Sequence, residues 1–297
     1  MDPQDYGPFP FSPITRRPKL EWPGGARVAL WVIPNLEFFP LTSSFARYGG
    51  KGAPNPRVWG ERDYGNRVGV WRCMQVMERY GVPGTAATNS DLCDKHPEII
   101  EEGVRLGWEF IGHNENNSMQ LGEMPPEQEQ ASIRKVLDTI GAASGTRPAG
   151  WLSAGRQETW NTLDYLVGED LLYVADWPND DQPYLMDIGG RKLVQVPYSS
   201  EINDFQAFVT RRDTVDEFVA MTCRHFDVMY REGAESGRVM PISIHPYLMG
   251  LPHRIDAFDR ILEYCCRHRD VWITTGAGIA RNYLDACAGH RDAEKKS

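Results

Sequence analysis

The chain has 297 residues, and its 32 Lys and Arg residues stand against 41 Asp and Glu residues, so the formal net charge is −9. This acidic balance disfavours nucleic acid and anionic membranes as partners, because both attract clustered positive charge. No apolar run reaches the roughly 18 residues of a membrane span, and six cysteines without a Cys-x-x-Cys pair exclude a zinc finger or a disulfide framework. The acidic, Pro-rich start is not typical of a secretory signal. We therefore expect a cytoplasmic protein that acts on a small molecule.

The first 24 residues contain six prolines and little periodicity, which predicts an extended arm on the body or on a neighbouring subunit. Residues 36–64 are predicted to form a long loop rich in Gly, Pro and aromatic residues, typical of a functional lid. The arm and this loop expose more apolar surface than a monomer usually tolerates, which favours a homo-oligomer, either a dimer or a tetramer. The last residues, 289–297, are predicted to form a charged tail.

Between the arm and the tail, residues 25–285 alternate short apolar runs with amphipathic patterns. The predicted strands cover residues 27–33, 84–88, 108–112, 149–152, 171–175, 192–197, 239–244 and 271–274. The predicted helices cover residues 66–80, 97–106, 126–141, 157–167, 214–229, 254–268 and 275–286, and the fifth of them begins with a capping box.

This alternation of seven or eight βα units has no internal break in composition. It predicts one catalytic domain over residues 1–297, built as an α/β protein with an irregular (β/α) barrel. No G-x-G-x-x-G sequence follows a predicted strand, which argues against a dinucleotide site.

Polar and aromatic residues follow nearly every predicted strand, and the opposite strand ends carry bland sequence. In a barrel of parallel strands the active site forms at the carboxyl ends of the strands. Glu37, His113 and His245 follow the first, third and seventh strands, and the apolar neighbours of Glu37 predict a raised pKa that suits a general base. The other candidates at strand ends and in the loops beyond them are Asn117, Trp151, Leu152, Arg156, Asp176, Trp177, Asp181 and Tyr198.

Each candidate also has a structural alternative. His113 on its own would be typical of a hydrogen-bonded core histidine, and Arg156 of an ion pair with Glu158. The aromatic residues are equally consistent with the core of a lid.

The order of these motifs resembles the NodB-type polysaccharide deacetylase superfamily, and more closely the branch that includes allantoinases of the polysaccharide-deacetylase type. The resemblance covers about residues 25–285. It rests on Asn35-Leu36-Glu37, on residues 108–113 (WEFIGH), 150–152 (GWL) and 173–177 (YVADW) with Asp180-Asp181, and on residues 244–247 (IHPY).

The resemblance also bears on metal binding. In the metal-dependent members, the first motif supplies a base and a metal ligand, and the second supplies two histidines four residues apart. The base position matches Glu37 and the first histidine matches His113, but Phe38 and Asn117 occupy the other two ligand positions. The resemblance to the allantoinase-like branch therefore implies no metal and no other cofactor. One divalent metal near Glu37, His113 and His245 is the alternative.

The resemblance further implies that Asp176 orients His245, so the predicted catalytic residues are Glu37, His245 and Asp176. The predicted substrate-binding residues are His113, Asn117, Trp151, Leu152, Arg156, Trp177, Asp181 and Tyr198. Among them, His113, Asn117 or a backbone N–H near Leu152 is expected to stabilise an oxyanion.

We predict a hydrolase of carbon–nitrogen bonds other than peptide bonds. Its substrate is expected to be a small, cyclic amide, ureide or imide, because attack without a metal is easier on a strained or activated bond than on an acetamide. The alternatives are a metal-dependent N-deacetylase of a sugar or oligosaccharide, and a barrel that binds a ligand without turnover. The presence of both Glu37 and His245 argues against the last alternative, since a pure binding protein needs neither an acid nor a base.

Overall fold

The computed structural model describes residues 5–42 and 54–294 of the chain. The strands are β1 (Val28–Leu36), β2 (Thr85–Thr88), β3 (Glu109–Gly112), β4 (Gly150–Trp151), β5 (Tyr173–Val174), β6 (Tyr184–Ile188), β7 (Arg191–Gln195), β8 (Arg238–Ile244) and β9 (Val271–Thr274). The helices are α1 (Pro56–Tyr64), α2 (Val70–Arg79), α3 (Asp91–Lys95), α4 (Pro97–Arg105), α5 (Pro126–Ser144), α6 (Thr162–Gly168), α7 (Val215–Glu232), α8 (Pro246–Met249), α9 (Ile255–Cys266) and α10 (Gly276–Glu294).

The sheet is organised around β1, whose nine residues are all buried. The strand order is β6-β7-β5-β4-β3-β2-β1-β8, and β9 pairs with the first half of β1. All pairs are parallel except β6 with β7. Parallel strands need both faces covered, which explains why β1 reads as a continuous apolar run.

The barrel is incomplete between β7 and β8. On that side β8 meets only irregular backbone: Val239 N–H donates to Asp181 O at 2.9 Å, and Ser243 N–H donates to Ile202 O at 3.0 Å. The curled parallel sheet with helices outside it confirms the predicted irregular (β/α) barrel.

Several elements differ from the sequence prediction: α3 and α8 were not predicted, and α10 extends to Glu294 through most of the predicted tail. The helix expected at residues 66–80 begins at Pro56 and runs through a π-helical turn (Gly65–Gly69), with the Asn55 side chain capping Val58 N–H at 3.2 Å. It therefore occupies part of the predicted lid, whose residues 43–53 lie outside the described residues. The strand β6 was not predicted; it forms a hairpin with β7 through Gly189 and Gly190, whose positive φ angles suit a tight two-residue turn.

The amino-terminal arm packs along the body of the same chain. Asp187 N–H donates to Pro8 O at 2.9 Å, and the Trp22 indole donates to Arg238 O at 3.0 Å. The arm still exposes Tyr6 and Phe11, and the homo-oligomer stays a prediction. In the part of the chain that the structure describes, no helix is long and apolar enough to cross a membrane.

Gly112 at the end of β3 allows a close approach between neighbouring strands. A Cβ atom there would lie 2.3 Å from the fully buried ring of Trp151. We expect Gly112→Ala to lower the free energy of unfolding by about 1–3 kcal/mol in urea denaturation, because the core must be displaced. Gly122→Ala is the control, since nothing lies within 4 Å of its added Cβ. Equal unfolding midpoints for the two variants would contradict this packing.

Candidate active site

Glu37 is the first residue after β1, and its carboxylate is buried between two histidines. Its Oε1 lies 3.8 Å from His113 Nε2 and 3.6 Å from His245 Nε2. Its Oε2 has no hydrogen-bond partner among the described residues. The backbone that carries Glu37 is fixed on both sides, since Phe38 N–H donates to Asn89 Oδ1 at 2.8 Å and Asn66 Nδ2 donates to Glu37 O at 3.0 Å.

His113 follows β3, and its ring orientation is set by a backbone carbonyl. His113 Nδ1 lies 2.5 Å from Leu152 O. Because a carbonyl only accepts hydrogen bonds, Nδ1 carries the hydrogen, and Nε2 faces Glu37. Asn89 also donates to His113 O, so one amide side chain joins the ends of β1 and β3.

His245 follows β8 and is held by Asp204. The two residues make two hydrogen bonds: His245 Nδ1 to Asp204 Oδ1 at 2.6 Å, and His245 N–H to Asp204 Oδ2 at 2.8 Å. The expected contact between Asp176 and His245 is wrong. Asp176 instead accepts from the Ser153 N–H and hydroxyl, both at 2.7 Å.

The pKa values of the central pair move in opposite directions. Burial opposes ionisation of Glu37, but the facing His245 and His113 rings and the Asn117 amide outweigh it and lower the pKa of Glu37. The expected rise is therefore wrong, because it considered apolar neighbours in sequence and not the two imidazoles. Burial also opposes protonation of His245, yet Asp204 and Glu37 outweigh it and raise the pKa of His245. A carboxylate and an imidazolium consequently coexist near neutral pH.

These groups line a cavity of about 330 Å³ at the carboxyl ends of the strands. Of the residues predicted from sequence, the structure brings together Glu37, His113, Asn117, Leu152, Arg156, Tyr198 and His245.

Four predicted residues lie elsewhere. Trp151 is fully buried, and its indole donates to Ser153 Oγ at 2.9 Å. Asp176 and Trp177 line a neighbouring cavity, and Asp181 lines another one near the start of β8. A side chain that follows a strand lines the central cavity only if the chain stays close to that cavity. These four residues line other cavities or the core instead.

Sequence reasoning missed several residues of the site. Arg62 on α1 lines the cavity, and its guanidinium lies 4.1 Å from the ring centroid of Tyr247. Asn203 lines the cavity, and Asp204 holds His245. The available signal was the Asn203-Asp204 pair in the long polar segment after β7. Tyr247 lay within the motif Ile244-His245-Pro246-Tyr247 but was not selected.

The metal positions of the deacetylase motif do not fit a metal here. The Phe38 ring packs toward the core and against His96, with 6.0 Å between ring centroids, and it does not line the cavity. Asn117 offers a neutral amide that interacts with Glu37. Among the described residues, no three His, Cys, Asp or Glu side chains are grouped so as to hold a metal ion. A catalytic zinc site takes three protein ligands, and the residues present do not provide them.

The chain is similar to other proteins over most of its length. A Schizosaccharomyces pombe protein named "Putative polysaccharide deacetylase" is 26% identical over 275 residues, which cover 87% of this chain and 86% of the relative. The crystal structure of PuuE allantoinase matches with a TM-score of 0.82 and 28% identity, covering 91% of this chain and 94% of that one. A "probable Polysaccharide deacetylase" from Pseudomonas aeruginosa matches with a TM-score of 0.81 and 28% identity, covering 90% and 94%. No family model matches the chain.

The chain resembles the NodB-type polysaccharide deacetylase superfamily. These relatives confirm the family predicted from the order of the motifs, including its likeness to an allantoinase. They also confirm the predicted class of enzyme, a hydrolase of carbon–nitrogen bonds other than peptide bonds.

The pairing of His245 with Asp204 predicts an effect on titration. We expect Asp204→Asn to lower the pKa of the His245 ring, because the raising charge is lost while burial remains. The measurement is an NMR titration of the histidine ring protons. Asp176→Asn is the matched control and is expected to leave the pKa of His245 in place. A shift of the His245 pKa in the Asp176→Asn variant alone would contradict the assignment of Asp204 as the partner of His245.

Proposed function

We propose that this protein hydrolyses a carbon–nitrogen bond in a small cyclic amide, ureide or imide in the cytoplasm, by acid–base catalysis without a metal or cofactor. The observation that carries the proposal is the position of Glu37 Oε1, within 3.8 Å of two imidazole Nε2 atoms. The likeness to an allantoinase supports a cyclic ureide as the kind of substrate.

The chemistry divides between Glu37 and His245. The Glu37 carboxylate takes a proton from water while the water oxygen bonds to the carbonyl carbon. His113 Nε2 lies 3.8 Å from Glu37 Oε1 and helps to orient that water. As the carbon–nitrogen bond breaks, the His245 imidazolium, stabilised by Asp204, gives its proton to the leaving nitrogen. The ring opens to one product that carries a carboxylic or carbamic acid at one end and the protonated leaving nitrogen at the other.

The donors available to the oxyanion are fewer than expected. Leu152 N–H donates to Gly112 O, and Ser153 N–H donates to Asp176. These two backbone N–H groups are therefore already hydrogen-bonded and do not face an oxyanion. His113 Nε2 and the Asn117 amide are the predicted donors that remain, and the Arg62 guanidinium lines the same cavity.

Two buried acceptors in the cavity favour a substrate with N–H groups. Glu37 Oε2 and Asn117 Oδ1 are both buried without a hydrogen-bond partner among the described residues. Leaving a buried acceptor unpaired costs about 1–3 kcal/mol. A ureide or imide carries N–H groups beside its carbonyl carbon, so its binding would satisfy these acceptors.

A metal-dependent N-deacetylase of a sugar is the second candidate. The names of the Schizosaccharomyces pombe and Pseudomonas aeruginosa relatives favour it. The two candidates differ in their response to a chelator, since the deacetylase would lose activity on removal of its metal.

Glu37→Gln tests the proposal because it keeps the shape of the side chain and removes the base. Protein dialysed against a chelator is assayed for released acid from a hydantoin, an imide, a lactam and an N-acetyl sugar. We expect hydrolysis of at least one cyclic compound, and a loss of about 10²–10⁴-fold in kcat/KM in Glu37→Gln. The exposed Glu123→Gln is the matched control and is expected to keep full activity. Undiminished activity in Glu37→Gln, or hydrolysis of the N-acetyl sugar only after metal is restored, would contradict the proposal.

A further inference from the structure

A second cavity lies beside the active site. It measures about 750 Å³ and is lined by the arm, by residues 156 and 158–160, and by residues 176–179. Arg156 lines both cavities and therefore stands at their junction. Its Nη1 donates to Ser200 Oγ at 2.6 Å, its guanidinium lies 5.5 Å from the centroid of the Tyr198 ring, and its φ of 55° is rare for a residue other than glycine.

Four aromatic side chains line this second cavity. Tyr6 and Phe9 come from the arm, and Trp160 and Trp177 come from the loops that follow β4 and β5. Phe9 and Trp177 meet edge to face, with 5.4 Å between their ring centroids. Trp160 is 48% exposed, so a ligand would bury much of its ring. Such surfaces bind flat or branched apolar groups.

Several polar side chains of this cavity already form hydrogen bonds within the protein. Asp176 accepts twice from Ser153. The Thr159 hydroxyl donates to Glu129 at 2.7 Å, and Asn179 Oδ1 accepts from the Tyr184 hydroxyl at 2.9 Å. These hydrogen bonds leave few donors and acceptors free to bind the hydroxyl groups of a sugar, which disfavours a saccharide as the ligand of this cavity.

Glu158 is an acidic residue in the wall of this cavity, but it carries no charge at neutral pH. Its Oε1 accepts from the Trp177 indole at 3.1 Å. Burial and the neighbouring Asp176 raise the pKa of Glu158 to about 10, so it is protonated at neutral pH. A neutral carboxylic acid between aromatic rings is compatible with an apolar ligand.

Resting on the proposed function, we infer that the substrate ring carries an aromatic substituent, which the second cavity binds beyond Arg156. The active cavity holds the ring that is opened, and Arg156 marks the boundary between the ring and its substituent. The Trp160 and Trp177 side chains then determine which substituents are accepted.

The test compares unsubstituted hydantoin with a hydantoin that bears a benzyl group at its tetrahedral carbon. We expect kcat/KM to be at least about tenfold higher for the benzyl compound. Trp160→Ala should reduce this preference to near parity, and Trp160→Phe should retain most of it. Phe11→Ala removes an exposed aromatic side chain that does not line this cavity, and it should leave the preference unchanged.

Binding to Glu37→Gln separates this inference from the proposed function. Calorimetry should show that Glu37→Gln binds the benzyl compound more tightly than hydantoin, and that adding Trp160→Ala removes the difference. If neither compound is hydrolysed but this binding pattern holds, the proposed reaction fails and the second cavity remains a binding site. Equal kcat/KM for the two compounds, or a preference that Trp160→Ala does not change, would overturn the inference and leave the reaction intact.

Discussion

The burial of one carboxylate between two imidazoles is the constraint on which this structure depends. Glu37 directly follows β1, at a position where burial alone would keep a carboxyl group neutral. The His245 and His113 rings, with Nε2 atoms within 3.8 Å, stabilise its charged form. Because each charge depends on the other, the rings must be held in place before any substrate binds.

The fold provides that support from several separate elements. Leu152 O fixes the ring of His113, and the carboxylate of Asp204 fixes that of His245. Asn89 ties the ends of β1 and β3 together. A preorganised base and acid lose little on reorganising during the reaction, which supports the proposed attack by water on an activated bond.

The sequence predicts the barrel and the central residues for a physical reason. Parallel strands bring their carboxyl ends together, so Glu37, His113 and His245 had to lie near one another if the alternation of strands and helices was correct. The same argument could not find Asp204, which lies well beyond the end of β7, and the choice of Asp176 rested on the family resemblance. It could not find Arg62 either, since the helix α1 lay in a segment that the Gly, Pro and aromatic content marked as a loop.

The most direct test is the pH dependence of kcat/KM in a chelating buffer. The account predicts a bell-shaped profile. Activity should rise as Glu37 ionises, with a pKa below the ordinary glutamate value of about 4.3, and fall as His245 loses its proton, with a pKa above the ordinary histidine value of about 6.5. A profile that rises through one ionisation and stays flat at alkaline pH, in an enzyme that works only after a divalent metal is restored, would contradict it.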